Sequence, residues 1–128
     1  MVQTALSNTS GERSLFVPTA GHLGTATLLA RSQGYRAVGV TTHTLDQFCH
    51  DHAVRPVHFI KCDVEGHELE VLQGGQRVLR EDRPVLLVEC VDSRPEVGQT
   101  DRVFPYLEAL GYRGYFFPHG RTESLTRF

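Results

Sequence analysis

The sequence predicts an α/β fold in which helices cross over between parallel strands, on three observations. Apolar runs at 57–62 and 85–90 have the length of strands, and the second is unbroken over 85–88, as in a parallel strand covered on both faces. The stretches at 68–80 and 101–110 repeat apolar residues at helical spacing. From Ala37 onward the units read strand, helix, strand, helix, strand, helix, strand, the alternation that builds a crossover sheet.

Taken from the N-terminus, Val2–Leu6 and Ser14–Val17 read as two short strands, with Asn8-Thr9-Ser10-Gly11 between them suited to turning the chain. A hairpin is the expected pairing. Thr19–Gln33, rich in Gly, Thr and Ala, is expected to be a loop. Ala37–Thr41 is a short strand, after which Thr44 caps a helix with Leu45, Phe48 and Cys49 on one face and Asp46 and Asp51 on a solvated side. The strand Val57–Cys62 leads to a helix over Glu68–Arg80 whose Leu69, Leu72 and Leu79 face inward. Gly74 and Gly75 interrupt it. A glycine inside a helix costs about 1 kcal/mol against alanine, so the pair implies close packing or a local break. Pro84 opens the strand Val85–Cys90, expected to be central to the sheet. Asp101 is expected to cap a last helix with Val103, Phe104, Leu107 and Leu110 inward, Pro105 in its first turn and Gly111 at its stop. Tyr112–Phe117 closes the set as an aromatic strand.

A chain of 128 residues, 40% hydrophobic, can bury one small core. It reads as a single domain, with hairpin and loop over 1–36 and the α/β part over 37–128. The 13 basic and 15 acidic residues are mixed along the chain and leave a net charge of −2, which disfavours nucleic acid and anionic membrane as partners. No apolar run approaches bilayer length, and Met1–Arg13 lacks a signal-peptide pattern. Cys49, Cys62 and Cys90 are an odd set, two of them in apolar runs, as expected of free thiols in a reducing cytoplasm. Asn8-Thr9-Ser10 is then a turn and not a glycan site.

The chemistry concentrates where the strand 57–62 ends in Asp63-Val64-Glu65-Gly66. Ligands of open parallel sheets bind beyond the carboxyl ends of the strands. Asp63 and Glu65 are therefore the candidate catalytic carboxylates, with Lys61, His67 and Glu89 as candidate substrate contacts. The competing reading is structural. Both carboxylates would also favour the positive end of the next helix, by about 0.3–1 kcal/mol. Lys61 is as readily a snorkelling surface lysine, and Glu89 could cap a loop. A rival activity, a metal-dependent hydrolase using Asp63, Glu65, His67 and Glu68, needs alternation that the helix start near His67 interrupts. No residue is assigned as a metal ligand.

The stretch from Phe59 to Gly74, with its Asp63-Val64-Glu65-Gly66-His67-Glu68 core, followed by Arg83-Pro84-Val85-Leu86-Leu87-Val88-Glu89, closely resembles the FkbM family of S-adenosylmethionine-dependent methyltransferases. Thr44-Leu45-Asp46 and Ala5-Leu6-Ser7-Asn8 match upstream in the same order, so that the likeness runs from Thr4 to Glu89. The resemblance implies a Rossmann-like methyltransferase sheet and methyl transfer from S-adenosylmethionine to a hydroxyl oxygen of a small-molecule acceptor, a sugar or natural product. It implies Ala5, Leu6 and Ser7 near the adenine, and Asp63 and Glu65 at the reacting centre, Asp63 taking or orienting the hydroxyl proton.

The chain departs from the family in one respect. The family carries an initial strand with a glycine-rich turn and a second strand ending in an acidic residue. Gly21-His22-Leu23-Gly24 has no apolar strand before it and follows the Ala-Leu-Ser segment, so it does not replace that turn. The expectation is a partial, truncated sheet lacking the first two strands, which puts S-adenosylmethionine binding by this chain alone in doubt. The strand 57–62 is expected to have an open edge that pairs with the 2–17 hairpin or drives self-association. The alternative is an inactive fragment or interaction module docking through that edge.

Overall fold

The computed structural model describes residues 2–21, 23–90, 98–116 and 123–124. Within them the chain is a mixed α/β molecule of three small sheets and four α-helices. The first sheet contains β1 (Ala5–Leu6), β2 (Gly11–Pro18) and β3 (Tyr35–His43), in the order β1-β3-β2. The expected hairpin between the first two strands does not form. β1 runs parallel to β3 on one edge and β2 antiparallel to it on the other, so Ala5 and Gly11 both stand opposite Thr42. The physical reason is Thr42 itself. Its buried hydroxyl bonds the carbonyls of Thr9 (3.1 Å) and Gly11 (2.9 Å), tying the polar turn around the end of β3. β2 instead makes its hairpin with β3, across the Thr19–Gly34 connection, which holds a short 3-10 turn at Leu23–Thr25.

Thr44 caps α1 (Leu45–Asp51), its hydroxyl accepting from Gln47 N at 3.1 Å. β4 (Phe59–Cys62) follows, then α2 (Glu68–Gln73) and α3 (Gln76–Glu81). The single helix expected over 68–80 is broken at the glycine pair. A Cβ on Gly74 would overlap the Ser7 carbonyl oxygen and lie 3.1 Å from its carbon, so only glycine lets the β1 end approach α2. Asp46, expected on a solvated face, caps α3 from α1. Its carboxylate accepts from Arg77 N (2.8 Å) and Val78 N (2.9 Å), replacing the side-chain cap that Gly75 lacks.

β5 (Val85–Val88) pairs with β4 in parallel and, among the described residues, with no other strand, so it is not the centre of a larger sheet. Nor is it covered on both faces. Helices pack on one side only, leaving Val85 67% and Leu87 48% exposed. α4 (Gln99–Ala109) begins earlier than expected. Gly98, left-handed at φ 43, is its N-cap, Asp101 lies in the first turn, and Pro105 is interior. Gly111 ends it at φ 79, as expected. β6 (Tyr115–Phe116) pairs antiparallel with β7 (Glu123–Ser124), while Phe117 lies outside the described residues.

The main core joins Leu69 and Leu72 of α2, Leu79 of α3 and Val103, Leu107 and Leu110 around α4 beneath Ile60, Leu86 and Val88. A second cluster, Leu45, Cys49 and Val78, holds α1 on α3, and Ile60 touches both. No described helix is long and apolar enough to cross a membrane.

Candidate active site

Strand alternation sorts the predicted residues. In β4, Ile60 and Cys62 turn toward the core while Phe59 and Lys61 are exposed; in β5, Leu86 and Val88 turn inward while Val85 and Leu87 are exposed. The parallel register sets Phe59 beside Val85 and Lys61 beside Leu87, and Glu89 N donates to Cys62 O at 2.9 Å. Asp63 and Glu89 prolong the outward rows and are exposed. The outer face is thus apolar at the start of the strands and carboxylate-bearing at their carboxyl ends, with Lys61 between.

The Lys61 ammonium donates to Asp63 Oδ2 at 2.9 Å. That bond, the charge of Asp63 and the more distant Glu89 hold the Lys61 pKa above its usual value. After Asp63 the chain reverses through two left-handed residues, Glu65 (φ 54) and Gly66 (φ 94). Gly66 is favoured there by its left-handed conformation, and a Cβ at that position would also displace the end of the Leu29 side chain, 2.8 Å away.

Beyond the reversal the side chains point into the protein. Glu68 is fully buried, and its Oε1 accepts from Gly66 N (3.0 Å) and Val64 N (3.3 Å). His67 is buried with Nε2 3.0 Å from Ser7 Oγ and Nδ1 3.6 Å from Glu70 Oε2. Burial pushes its pKa down, against the opposing charge of Glu70. Thr27, also buried, donates its hydroxyl to Glu65 O at 2.9 Å and accepts from Leu29 N at 3.1 Å.

The structure therefore brings Lys61, Asp63 and Glu89 to one face, keeps half-buried Glu65 in the loop above them, and separates His67 from that face. Ser7 is fully buried, its N donating to His43 O at 3.0 Å and its hydroxyl engaging His67, while Ala5 and Leu6 are half-buried in β1. The four-ligand hydrolase set does not assemble. Among the described residues no group of three or more His, Cys, Asp or Glu is placed to hold a metal ion. A cavity of about 790 Å³ lies between β5, α4 and the segment 111–115, with none of the candidate site residues in its wall.

Thr27 escaped the sequence reading because nothing marks one threonine within a Gly/Thr/Ala-rich loop. Glu68 did carry a signal, a carboxylate in the first turn of a helix where backbone amides lack partners.

The carboxylate-tipped strand followed by a left-handed glycine turn coincides with a family-level match: the model of the methyltransferase FkbM domain matches residues 1–113. The chain belongs to the FkbM methyltransferase family. No curated protein and no solved structure matches it. The matched region of this FkbM chain contains the whole of the outer face, namely β4, β5, the Asp63–Gly66 loop and Glu89.

Proposed function

We propose that this chain is an S-adenosylmethionine-dependent O-methyltransferase acting on a hydroxyl of a small molecule such as a sugar or natural product, with Asp63 as its catalytic carboxylate. The observation that carries the reading is the exposed Asp63 carboxylate at the end of β4, fixed by Lys61 at 2.9 Å, inside a family match that spans the site.

The donor set of the outer face fits the cofactor. S-adenosylmethionine supplies an electrophilic methyl on a sulfonium sulfur, and it carries cationic groups, ribose hydroxyls and a purine. Glu65 and Glu89 offer carboxylates for the cations and hydroxyls, and Phe59, Val85 and Leu87 an apolar surface. Of the three residues expected beside the adenine, Leu6 packs against Leu45, Cys49 and Val78 and the polar atoms of Ser7 are engaged inside the protein, so neither lies on the outer face. Asp63 would accept the acceptor's O–H and take its proton as the methyl passes to that oxygen, the methyl–sulfur bond breaking to leave S-adenosylhomocysteine, while Lys61 keeps the carboxylate aimed. His67, held inside by Ser7, supports the loop and does not touch substrate.

Calorimetric titration with S-adenosylhomocysteine, followed by methyl-transfer assays across hydroxyl acceptors, tests this. Micromolar binding and a loss of about 10²–10⁴-fold in transfer for Asp63→Asn, with binding retained, are expected. A folded chain that does not bind would refute it. That result would favour a second reading, a non-catalytic module that docks or self-associates through the β4–β5 layer, for which exposed Phe59 (57%), Val85 and Leu87 speak.

A further inference from the structure

The loop Asp63–Gly66 is held by two buried side chains, those of Glu68 and Thr27. From below, Glu68, 0% exposed, takes two amide protons of the loop on a single carboxyl oxygen, those of Val64 and Gly66. From the side, Thr27, 2% exposed, donates to the Glu65 carbonyl. Thr27 is itself fixed, because its backbone exchanges two hydrogen bonds with Phe16 of β2 (2.8 and 3.0 Å) and its hydroxyl accepts from Leu29. The three polar groups so held belong to Val64, Glu65 and Gly66, the residues that carry the chain through its left-handed reversal.

A non-glycine residue at positive φ is unfavourable by roughly 1–2 kcal/mol, so Glu65 keeps φ 54 only where its surroundings impose it. The Glu65 carbonyl and the Gly66 amide flank that residue, and each is bonded to a buried side chain. We propose that Glu68 and Thr27 are positioning residues that lock the Asp63–Gly66 loop and thereby hold the Asp63 carboxylate toward the acceptor hydroxyl. The proposal rests on the reading of Asp63 given above. It assigns the first sheet a part in the site, since Thr27 bridges from β2 to the loop.

The test compares Thr27→Val, Thr27→Ser, Glu68→Ala and Glu68→Gln in the full chain. Two readouts are followed, amide hydrogen exchange at Val64 and Gly66 and the kinetics of methyl transfer. Thr27→Val keeps the shape of the side chain and removes the donor, so it remains informative if Glu68→Ala does not fold. Thr27→Val and Glu68→Ala are expected to speed exchange at Gly66 at least tenfold and to lower kcat about tenfold. Thr27→Ser keeps the donor and Glu68→Gln keeps an accepting oxygen, so both should restore protection and kcat. Unchanged exchange in Thr27→Val, or faster exchange with unchanged kcat, overturns the proposal. If the wild-type chain transfers no methyl group, the exchange data still decide the lock: lost protection supports it while the methyl-transfer reading falls.

Discussion

Gly74→Ala puts the junction between the first sheet and α2 to a quantitative test. Gly74 has φ −69, an ordinary helical angle, so alanine there would by itself stabilise the chain by about 0.4–1 kcal/mol. The structure reverses that sign. The new Cβ would overlap the Ser7 carbonyl oxygen and lie 3.4 Å from Asn8 Cα, and these are backbone atoms that cannot rotate away. Forcing an extra methyl into packed structure costs about 1–3 kcal/mol. Displacing Ser7 also strains its bonds to His43 O and His67 Nε2, each contributing roughly 0.5–1.5 kcal/mol. The expected net loss is about 2 kcal/mol, or a fall in Tm of roughly 6–10 °C. Gly75→Ala is the internal control. There the nearest atom is Leu45 Cδ2 at 2.6 Å, the far end of a side chain that can change rotamer, so the loss should be smaller. Urea and thermal denaturation of both variants decide the matter. A neutral or stabilising Gly74→Ala, or a Gly75→Ala that is the more damaging of the two, would refute the reasoning.

Asp46→Ala should destabilise by about 1–2 kcal/mol, measured by denaturant midpoint, because it leaves the amides of Arg77 and Val78 without their acceptor; a change below about 0.5 kcal/mol would remove the cap from the account. Burial pushes the Cys62 thiol up to about 12, with Glu68 and Cys90 adding to the shift. It should therefore resist a thiol reagent in the native protein at neutral pH and react on unfolding, as mass spectrometry of labelled peptides would read. His67 titrates below its ordinary 6.5 in the folded chain, because desolvation outweighs Glu70 and Glu68 beside it on α2 and in its loop, while Arg13 of β2 lowers it further. Its neutral form is the one folding favours, so its contribution is complete above about 6.5 and is lost as pH falls through the depressed value. His67→Asn should accordingly show a smaller drop in urea midpoint between about pH 7 and pH 5 than wild type, and an equal drop would contradict the assignment.

The order of elements from Ala37 onward was legible because apolar periodicity reports burial on one side of each element, and that burial is what the core at Leu72, Leu79 and Val103 realises. The N-terminal pairing was not. Asn8-Thr9-Ser10-Gly11 reads as a hairpin turn on local chemistry, yet a tertiary bond from Thr42, over thirty residues away, decides where the turn leads. Asp46 failed for a related reason. A carboxylate on a helix looks solvated until another helix start is brought against it, and that contact is long-range. The unbroken apolar run at 85–88 shows the opposite failure. Hydrophobicity correctly marks both faces of β5 as suited to burial, while in the described residues only one face is covered.

The motif around Asp63 was legible as chemistry but not as geometry, because its residues divide at one backbone feature. Up to Asp63 the strand period of two sends Phe59, Lys61 and Asp63 outward and Ile60 and Cys62 inward. Then Glu65 and Gly66 reverse the chain in the left-handed region, and the next polar residues, His67 and Glu68, enter the interior. In the sequence Asp63 and Glu65 read as catalytic, Lys61 and His67 as substrate contacts and Glu68 only as a rival metal ligand, whereas Lys61 and Asp63 lie on the outer face, Glu65 sits half-buried in the loop above it, and His67 and Glu68 are buried. The inner group is as polar as the outer, and its polarity serves to satisfy backbone amides and a buried serine and not to meet a ligand. A reversal of this kind lets one short segment supply both an exposed carboxylate and a buried one that accepts two of the segment's own amides, and the left-handed Gly66 is what lets the chain turn between them.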